Sequence, residues 1–285
     1  MKTTSNVWFI TGASAGFGRA FAEYALKQGH QVVVTARRLE RLLEIQALAP
    51  DRVEPIKMDV TRPEEVKAAV AQAINRFGRI DVLINNAGYG IVGALEETPE
   101  EELRAQMETN FFGAVSVMQE VLPHMREQQS GAIVNMSSMG GQMSFAGFSA
   151  YSASKFALEG ASEALAQEVA PFGIKVMIVE PGAFKTEFAG NALRHMPKLA
   201  AYEETVGGTR EFTKGMDGTQ AGDPFKAAQA IEQAINSENT PLRLALGADA
   251  VDAIRQHSQH LLDELTQWEQ VGRDTELEAA QSSAS

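Results

Sequence analysis

Short apolar runs alternate with amphipathic stretches for most of the chain. The runs at 7–11, 31–36, 53–58, 81–85, 132–136, 175–179 and 242–246 are strand-length, and most are rich in β-branched residues. Near-continuous apolar runs of this kind predict strands covered on both faces, the condition of a parallel sheet whose crossovers are helices. The expected fold class is therefore α/β: a doubly wound, seven-stranded parallel sheet with helices on both faces, forming one domain over residues 1–271.

The helical stretches carry end signals. Thr61-Arg62-Pro63-Glu64 and Thr98-Pro99-Glu100-Glu101 both read as capping boxes with Pro in the first turn, where its missing N–H costs nothing. Asp223-Pro224 starts another helix in the same manner, and Gly29 and Gly78 read as C-terminal stops. The stretch 184–222 differs, because it mixes glycines with Phe188, Leu193, Met196, Leu199, Tyr202, Phe212 and Met216 in no clean period. A segment of that length without a period, inside a compact α/β domain, predicts a substrate-binding lid. After Val271 the chain turns polar and small, so 272–285 is expected to be a flexible tail.

Composition narrows the function. The 285 residues are 44% hydrophobic, enough to bury a full core, and the formal charge of −12 disfavours general nucleic-acid binding. With no cysteine the chain has neither disulfides nor a thiolate nucleophile, which fits a reducing, cytoplasmic setting. No run approaches the ~18 apolar residues of a membrane span. The five histidines do not group into a metal set; only His257 and His260 are near one another, and a solvated helix face accounts for them. Half of the net charge lies in residues 249–285, whereas Arg37, Arg38 and Arg41 form a basic knot in an otherwise acidic protein.

That knot acquires meaning from the loop before it. Thr11-Gly12-Ala13-Ser14-Ala15-Gly16-Phe17-Gly18 joins the first strand to the first helix. Glycines at 12, 16 and 18 permit a tight turn, close approach of backbone to a pyrophosphate, and tight packing of helix on sheet, the dinucleotide loop of a Rossmann fold. The ribose selector of such a site lies at the end of the second strand. There the sequence offers Arg37 and Arg38 and no acid, which suits a 2′-phosphate and predicts NADP(H) over NAD(H). The alternative is a basic first helical turn paired with Glu40 and Glu44.

Tyr151 and Lys155 are four residues apart, hence one turn apart on one helix face. A neighbouring ammonium stabilises phenolate and is expected to bring Tyr151 down toward the working pH as a proton donor or acceptor. At the end of the fifth strand Ser138 or its neighbour Ser137 offers a hydroxyl to a developing oxyanion; successive strand residues face opposite ways, so only one of them can serve. Asn110 sits inside the helix that starts near Pro99, where Asn is a mediocre helix former.

In order and spacing these segments resemble the short-chain dehydrogenase/reductases, over about residues 5–190, and the part from Gly222-Asp223-Pro224 through Leu242–Gly247 is similar to the hydroxysteroid and retinol dehydrogenase subgroup. The resemblance implies a catalytic tetrad of Asn110, Ser138, Tyr151 and Lys155, favouring Ser138 over Ser137, with Asn110 at a backbone distortion that holds a water between Lys155 and solvent. It implies cofactor contacts from Gly12, Ser14, Gly16, Phe17, Gly18, Arg37, Arg38, Asp59, Val60, Asn86, Ala87, Gly88, Tyr151, Lys155, Pro181, Gly182 and Thr186. One departure stands out: Ala15 occupies a position that is basic in many NADP-preferring members, so the preference rests mainly on Arg37.

The implied function is transfer of a hydride between NADP(H) and a hydrophobic ketone or aldehyde and its alcohol. The expected pocket comprises Met139, Met143, Phe145 and Phe148 with Phe188, Met196, Leu199 and Tyr202 from the lid. A non-catalytic NADP(H) sensor and a dinucleotide-dependent epimerase or dehydratase are the alternatives, both disfavoured by an intact tetrad and short C-terminal region. The acidic C-terminal helix with Trp268, in place of a short glycine-ended terminus, points to a homodimer.

Overall fold

The protein is described here by a computed structural model covering residues 5–216 and 218–275. Its strands are β1 (Val7–Thr11), β2 (Gln31–Ala36), β3 (Val53–Lys57), β4 (Val82–Asn85), β5 (Gly90–Val92), β6 (Gly131–Met136), β7 (Ile174–Pro181), β8 (Leu193–His195) and β9 (Arg243–Leu246). Its helices are α1 (Gly16–Lys27), α2 (Leu39–Gln46), α3 (Pro63–Phe77), α4 (Glu100–Met107), α5 (Gly113–Gln128), α6 (Ser149–Val169), α7 (Phe188–Asn191), α8 (Glu203–Met216), α9 (Pro224–Ile235) and α10 (Ala248–Arg273). Seven strands form one parallel sheet in the order β3-β2-β1-β4-β6-β7-β9. All seven were legible as apolar runs, with ends that move by no more than two residues.

Alternation along each strand builds two cores. From β1, Trp8 and Ile10 face the side packed by α1 and α9, whereas Val7 and Phe9 face the side packed by α3, α5 and α6. The strand order reverses between β1 and β4, and the crevice beyond their carboxyl ends is where a doubly wound sheet binds ligands.

Helix ends follow the sequence in part. The Asp223 carboxylate accepts from Phe225 N at 2.8 Å, and Gly78 closes α3 in the left-handed region with φ 78°. Neither threonine caps as expected. Thr61 N and its hydroxyl both donate to the Asp59 carboxylate, and the Thr98 hydroxyl donates to Ala94 O, so each threonine is engaged by an upstream partner before it can serve its helix.

The 184–222 segment is more structured than an irregular lid. It contains α7, β8 and α8, and β8 pairs in parallel with β5 as a second, two-stranded sheet. At the other end of the chain, α10 continues through Arg273, so the start of the expected tail is helical, and residues 276–285 lie outside the described residues. Among the described residues no helix is long and apolar enough to cross a membrane.

Candidate active site

The glycine loop is held open by its neighbour strand. Gly12 and Gly16 take φ of 67° and 52°, a region that side-chain-bearing residues rarely adopt. A Cβ on Gly12 would meet Ala87 Cα at 2.8 Å, and one on Gly18 would meet the Gly12 carbonyl at 2.5 Å. Asn86 braces the turn: its Nδ2 donates to Thr11 O (2.9 Å) and Gly12 O (3.2 Å), and the Thr11 hydroxyl accepts from Asn86 N and Ala87 N. Ala15 begins α1 without a side-chain cap, which leaves the first-turn N–H groups of the helix for an anion. Ser14 lies half-buried within the loop, Phe17 packs on Phe184 with ring centres 5.1 Å apart, and a Cβ on Gly16 would touch Thr186. A cradle with this little room above its backbone and an uncapped helix end fits a dinucleotide pyrophosphate.

At the end of β2, Arg37 and Arg38 are exposed. The acids foreseen as their partners are engaged elsewhere or not at all: Glu44 binds Arg19 at 2.6 Å and Arg41 at 3.3 Å, and neither Arg37 nor Arg38 joins an ion pair among the described residues. Beyond β3, Asp59 is engaged with Thr61, and the buried Val60 packs where a Cβ on Gly113 would stand.

The tetrad residues converge on the carboxyl ends of β4 and β6. Between α4 and α5 the helix widens into a π-turn, Glu108–Phe112, that carries Asn110 inward. The Asn110 amide clamps the loop after β4, accepting from Tyr89 N (3.1 Å) and donating to Tyr89 O (3.0 Å) and the Ser154 hydroxyl (3.0 Å). Nearby, Gly88 is the close neighbour of both Asn110 Oδ1 and Lys155 Nζ. Lys155 Nζ donates to Met136 O at 2.8 Å, tying α6 to β6. Ser138 starts the turn after β6, accepting from Gly140 N at 3.1 Å, and Tyr151 lies between the rings of Phe148 and Phe188. Ser137 points away, buried with its hydroxyl unpartnered beside Glu159 and Gly141.

Burial dominates the titration of the pair. It pushes the Tyr151 phenol up to about 12, against the pull of the Ser138 hydroxyl, and it pushes Lys155 down to about 8, against the Glu159 carboxylate four residues on. This reverses the expectation that Lys155 brings Tyr151 down, because desolvation weakens the very charge that was to act on the phenol.

These residues wall one cavity of about 520 Å³. Met139, Phe145, Phe148 and Phe188 line it, together with Pro181, Gly182 and Thr186 at the mouth of β7. Four expected pocket residues do not. Met143 is half-buried outside it, Met196 packs on Ile91 and Ala150, Leu199 is exposed, and the Tyr202 hydroxyl donates to Glu96 on the outer surface. Their places are taken by Phe184, by Thr209, Phe212 and Met216 of α8, and by Gln220 and Asp249. Phe212 and Met216 sit one turn apart on a helix, a spacing visible in the sequence once α8 is known to start at Glu203.

The comparisons agree with this geometry. A short-chain dehydrogenase from Streptomyces avermitilis of solved structure is 53% identical and superposes with a TM-score of 0.91, covering 96% of this chain and all of its own. A 3-ketodihydrosphingosine reductase from Bacteroides thetaiotaomicron is 43% identical over 84% of this chain and 86% of its own. Two further structures, from Brucella melitensis with NADH and Burkholderia cenocepacia with NADP, are 26% and 27% identical with TM-scores of 0.71 and 0.70, each covering most of both chains. The short chain dehydrogenase family model matches residues 6–197, a span that begins just before the glycine loop's strand and runs past Asn110, Ser138, Tyr151 and Lys155. With loop, sheet order and tetrad inside that match, the chain belongs to the short-chain dehydrogenase family and is an oxidoreductase.

Proposed function

We propose that the protein reduces a bulky hydrophobic ketone or aldehyde to its alcohol with NADPH, or runs the reverse reaction, in a cytoplasmic setting. The observation that carries this reading is that Tyr151, Ser138 and Lys155 wall a cavity with mostly apolar lining that adjoins the glycine cradle. A nicotinamide cofactor held there supplies or accepts the hydride. Gly12, Ser14, Gly16, Phe17 and Gly18 would hold its pyrophosphate end, Asp59, Val60, Asn86, Ala87 and Gly88 its adenine side, and Pro181, Gly182 and Thr186 the nicotinamide end. Arg37, with Arg38 beside it, is exposed and unpaired among the described residues, which supports a 2′-phosphate partner.

A phenol held near 12 is protonated at neutral pH, the form that a carbonyl oxygen needs when it gains negative charge. Ser138 donates to the same oxygen, and Lys155 fixes ribose and stabilises the phenolate left behind. Asn110 holds the π-turn and the Tyr89 backbone, and through them the Lys155 surroundings. The relative named for reducing 3-ketodihydrosphingosine, a long-chain ketone, supports an apolar substrate class. We read 184–222 as the lid over this pocket. We also infer a homodimer, supported by Leu261, Leu265 and Trp268 exposed along α10; light scattering in line with size exclusion tests it, and a monomer at micromolar concentration overturns it.

Initial rates of NADPH and NADH oxidation with small and bulky ketones test the reaction. Tyr151→Phe is expected to lower kcat by about 10²–10⁴ with cofactor affinity kept. Tight NADPH binding without turnover would favour a sensor instead, and faster rates with NADH would reduce Arg37 and Arg38 to a basic helix turn.

A further inference from the structure

One polar side chain in the cavity wall has no place in the reaction derived above. Gln220 is 8% exposed, and neither its Oε1 nor its Nε2 has a hydrogen-bond partner or contact with solvent. It belongs to the short return between α8 and α9, and that return is stitched to the turn after β7: Gly222 N donates to Ala183 O at 3.1 Å, and Lys185 N donates to Gly222 O at 2.8 Å. The backbone of Gln220 is therefore fixed relative to the loop expected to hold the nicotinamide end, while its amide is unengaged.

A buried amide with both ends unmet destabilises a fold, and native proteins tolerate few of them without a compensating role. Leu or Met would fill the same volume beside Phe184 and Met216 without that cost. The last torsion of glutamine is broad, so small rotations turn either amide atom to the cavity face without moving the backbone.

Resting on the reading of the cavity as a ketone pocket, we infer that Gln220 is a specificity-determining residue that recognises a second polar group on the substrate. It is the one amide in a wall otherwise built by aromatic rings, methionines and the catalytic groups at the reacting end. An amide both donates and accepts, so the group it fits does both as well: a hydroxyl or a primary carboxamide, carried by an otherwise apolar ketone. A site built to hydrogen-bond a substrate group discriminates strongly against the analogue that lacks it, because the site's own polar atoms are then left unpaired.

The test uses the full chain with NADPH and a length series of straight-chain methyl ketones, each paired with its ω-hydroxy and ω-carboxamide counterparts. At the best length the polar member is expected to exceed its parent in kcat/KM by about tenfold or more. Gln220→Leu is expected to abolish that ratio by slowing the polar member while the parent is unchanged or faster, with a melting temperature no lower than wild type. Gln220→Met replaces it if the leucine variant fails to fold.

An unchanged ratio in both variants overturns the assignment. So does a raised KM for NADPH with the ratio intact, which would give the amide to the cofactor. If no ketone turns over in a Tyr151-dependent manner, the reaction proposed above fails while the subsite is still tested. In that case the ω-hydroxy ketone should raise the melting temperature of wild type but not of Gln220→Leu, and equal shifts would sink the subsite as well.

Discussion

Two carboxylate–arginine sites are buried in this protein, one in the 184–222 segment and one at the far edge of the sheet, and they are built on opposite plans. In the first, Glu97 of the turn after β5 meets Arg210 of α8 at 2.6 Å, each side chain no more than 3% exposed. The site is balanced in charge, and its hydrogen bonds are met: Glu97 also accepts from Ala94 N and Leu199 N at 2.7 Å, and Arg210 donates to Met196 O at 2.9 Å. In the second, Glu180 of β7 and Glu159 of α6 share a single guanidinium, that of Arg243 on β9, with Glu163 as a third claimant. Arg243 is a third exposed, Glu180 accepts a neutral hydrogen bond from Gln142 at 2.6 Å, and Glu159 Oε1 has no partner.

The titration of each site follows from its plan. Burial pushes the Glu97 carboxyl up, but the two backbone N–H groups and Arg210 outweigh it and hold it below the ordinary carboxylate range. Burial pushes Glu180 up as well, and there one shared arginine and one glutamine do not offset it beside Glu159, so Glu180 stands at about 7. The lesson is that saturation of the acceptor decides the sign, since both acids are equally sunk. Glu97 therefore contributes stability that is present above the ordinary carboxylate range and is lost as pH falls through its lowered pKa. Glu180 favours the fold in its protonated form, and that contribution is lost as pH rises from 4.5 to about 7.

The contrast is broken most directly at Arg210. Arg210→Met leaves a desolvated carboxylate alone and is expected to cost about 3–5 kcal/mol in urea unfolding and to open 184–222 to proteolysis. A loss under about 1 kcal/mol would mean that water reaches Glu97, and the two sites would then be alike. Glu180→Gln should do the reverse, stabilising the protein by about 1–2 kcal/mol at pH 8 and by nothing at pH 4.5, because it installs permanently the neutral form that the site favours. Melting curves across that range check it, and a loss of stability at pH 8 would show that Arg243 satisfies both acids after all. Glu163→Gln sharpens the comparison from its smallest side: Glu163 is half exposed, so removing its charge should change stability by less than about 0.5 kcal/mol.

How much of this was readable in the sequence varies with how local the cause is. β1 and the glycine loop were legible because their signals are contiguous: an apolar run, then glycines whose left-handed angles no other residue takes easily. Tyr151 and Lys155 were legible from a single helical turn. The capping boxes at Thr61 and Thr98 were misread because the pattern looks downstream, while Asp59 and Ala94 compete from upstream. Met196, Leu199 and Tyr202 were misassigned because a segment without a period gives no facing direction; their orientations are set by β5, Glu97 and Glu96, all about a hundred residues earlier in the chain. The direction of the Tyr151 pKa was equally out of reach, since the degree of desolvation is a property of the packed site and not of the Tyr–Lys spacing.

The pairing of β8 with β5 has a kinetic consequence. A flap hung on a hinge swings freely, but here Gly90 N bonds Ala192 O and Met196 N bonds Val92 O, so uncovering the cavity requires peeling one strand from another. The peeled partner, β5, is continuous with Tyr89, whose backbone is gripped by Asn110. Departure of a large alcohol would then be an unzipping event, slow and all-or-none, and turnover would be governed by how long that short seam stays shut and not by the hydride step.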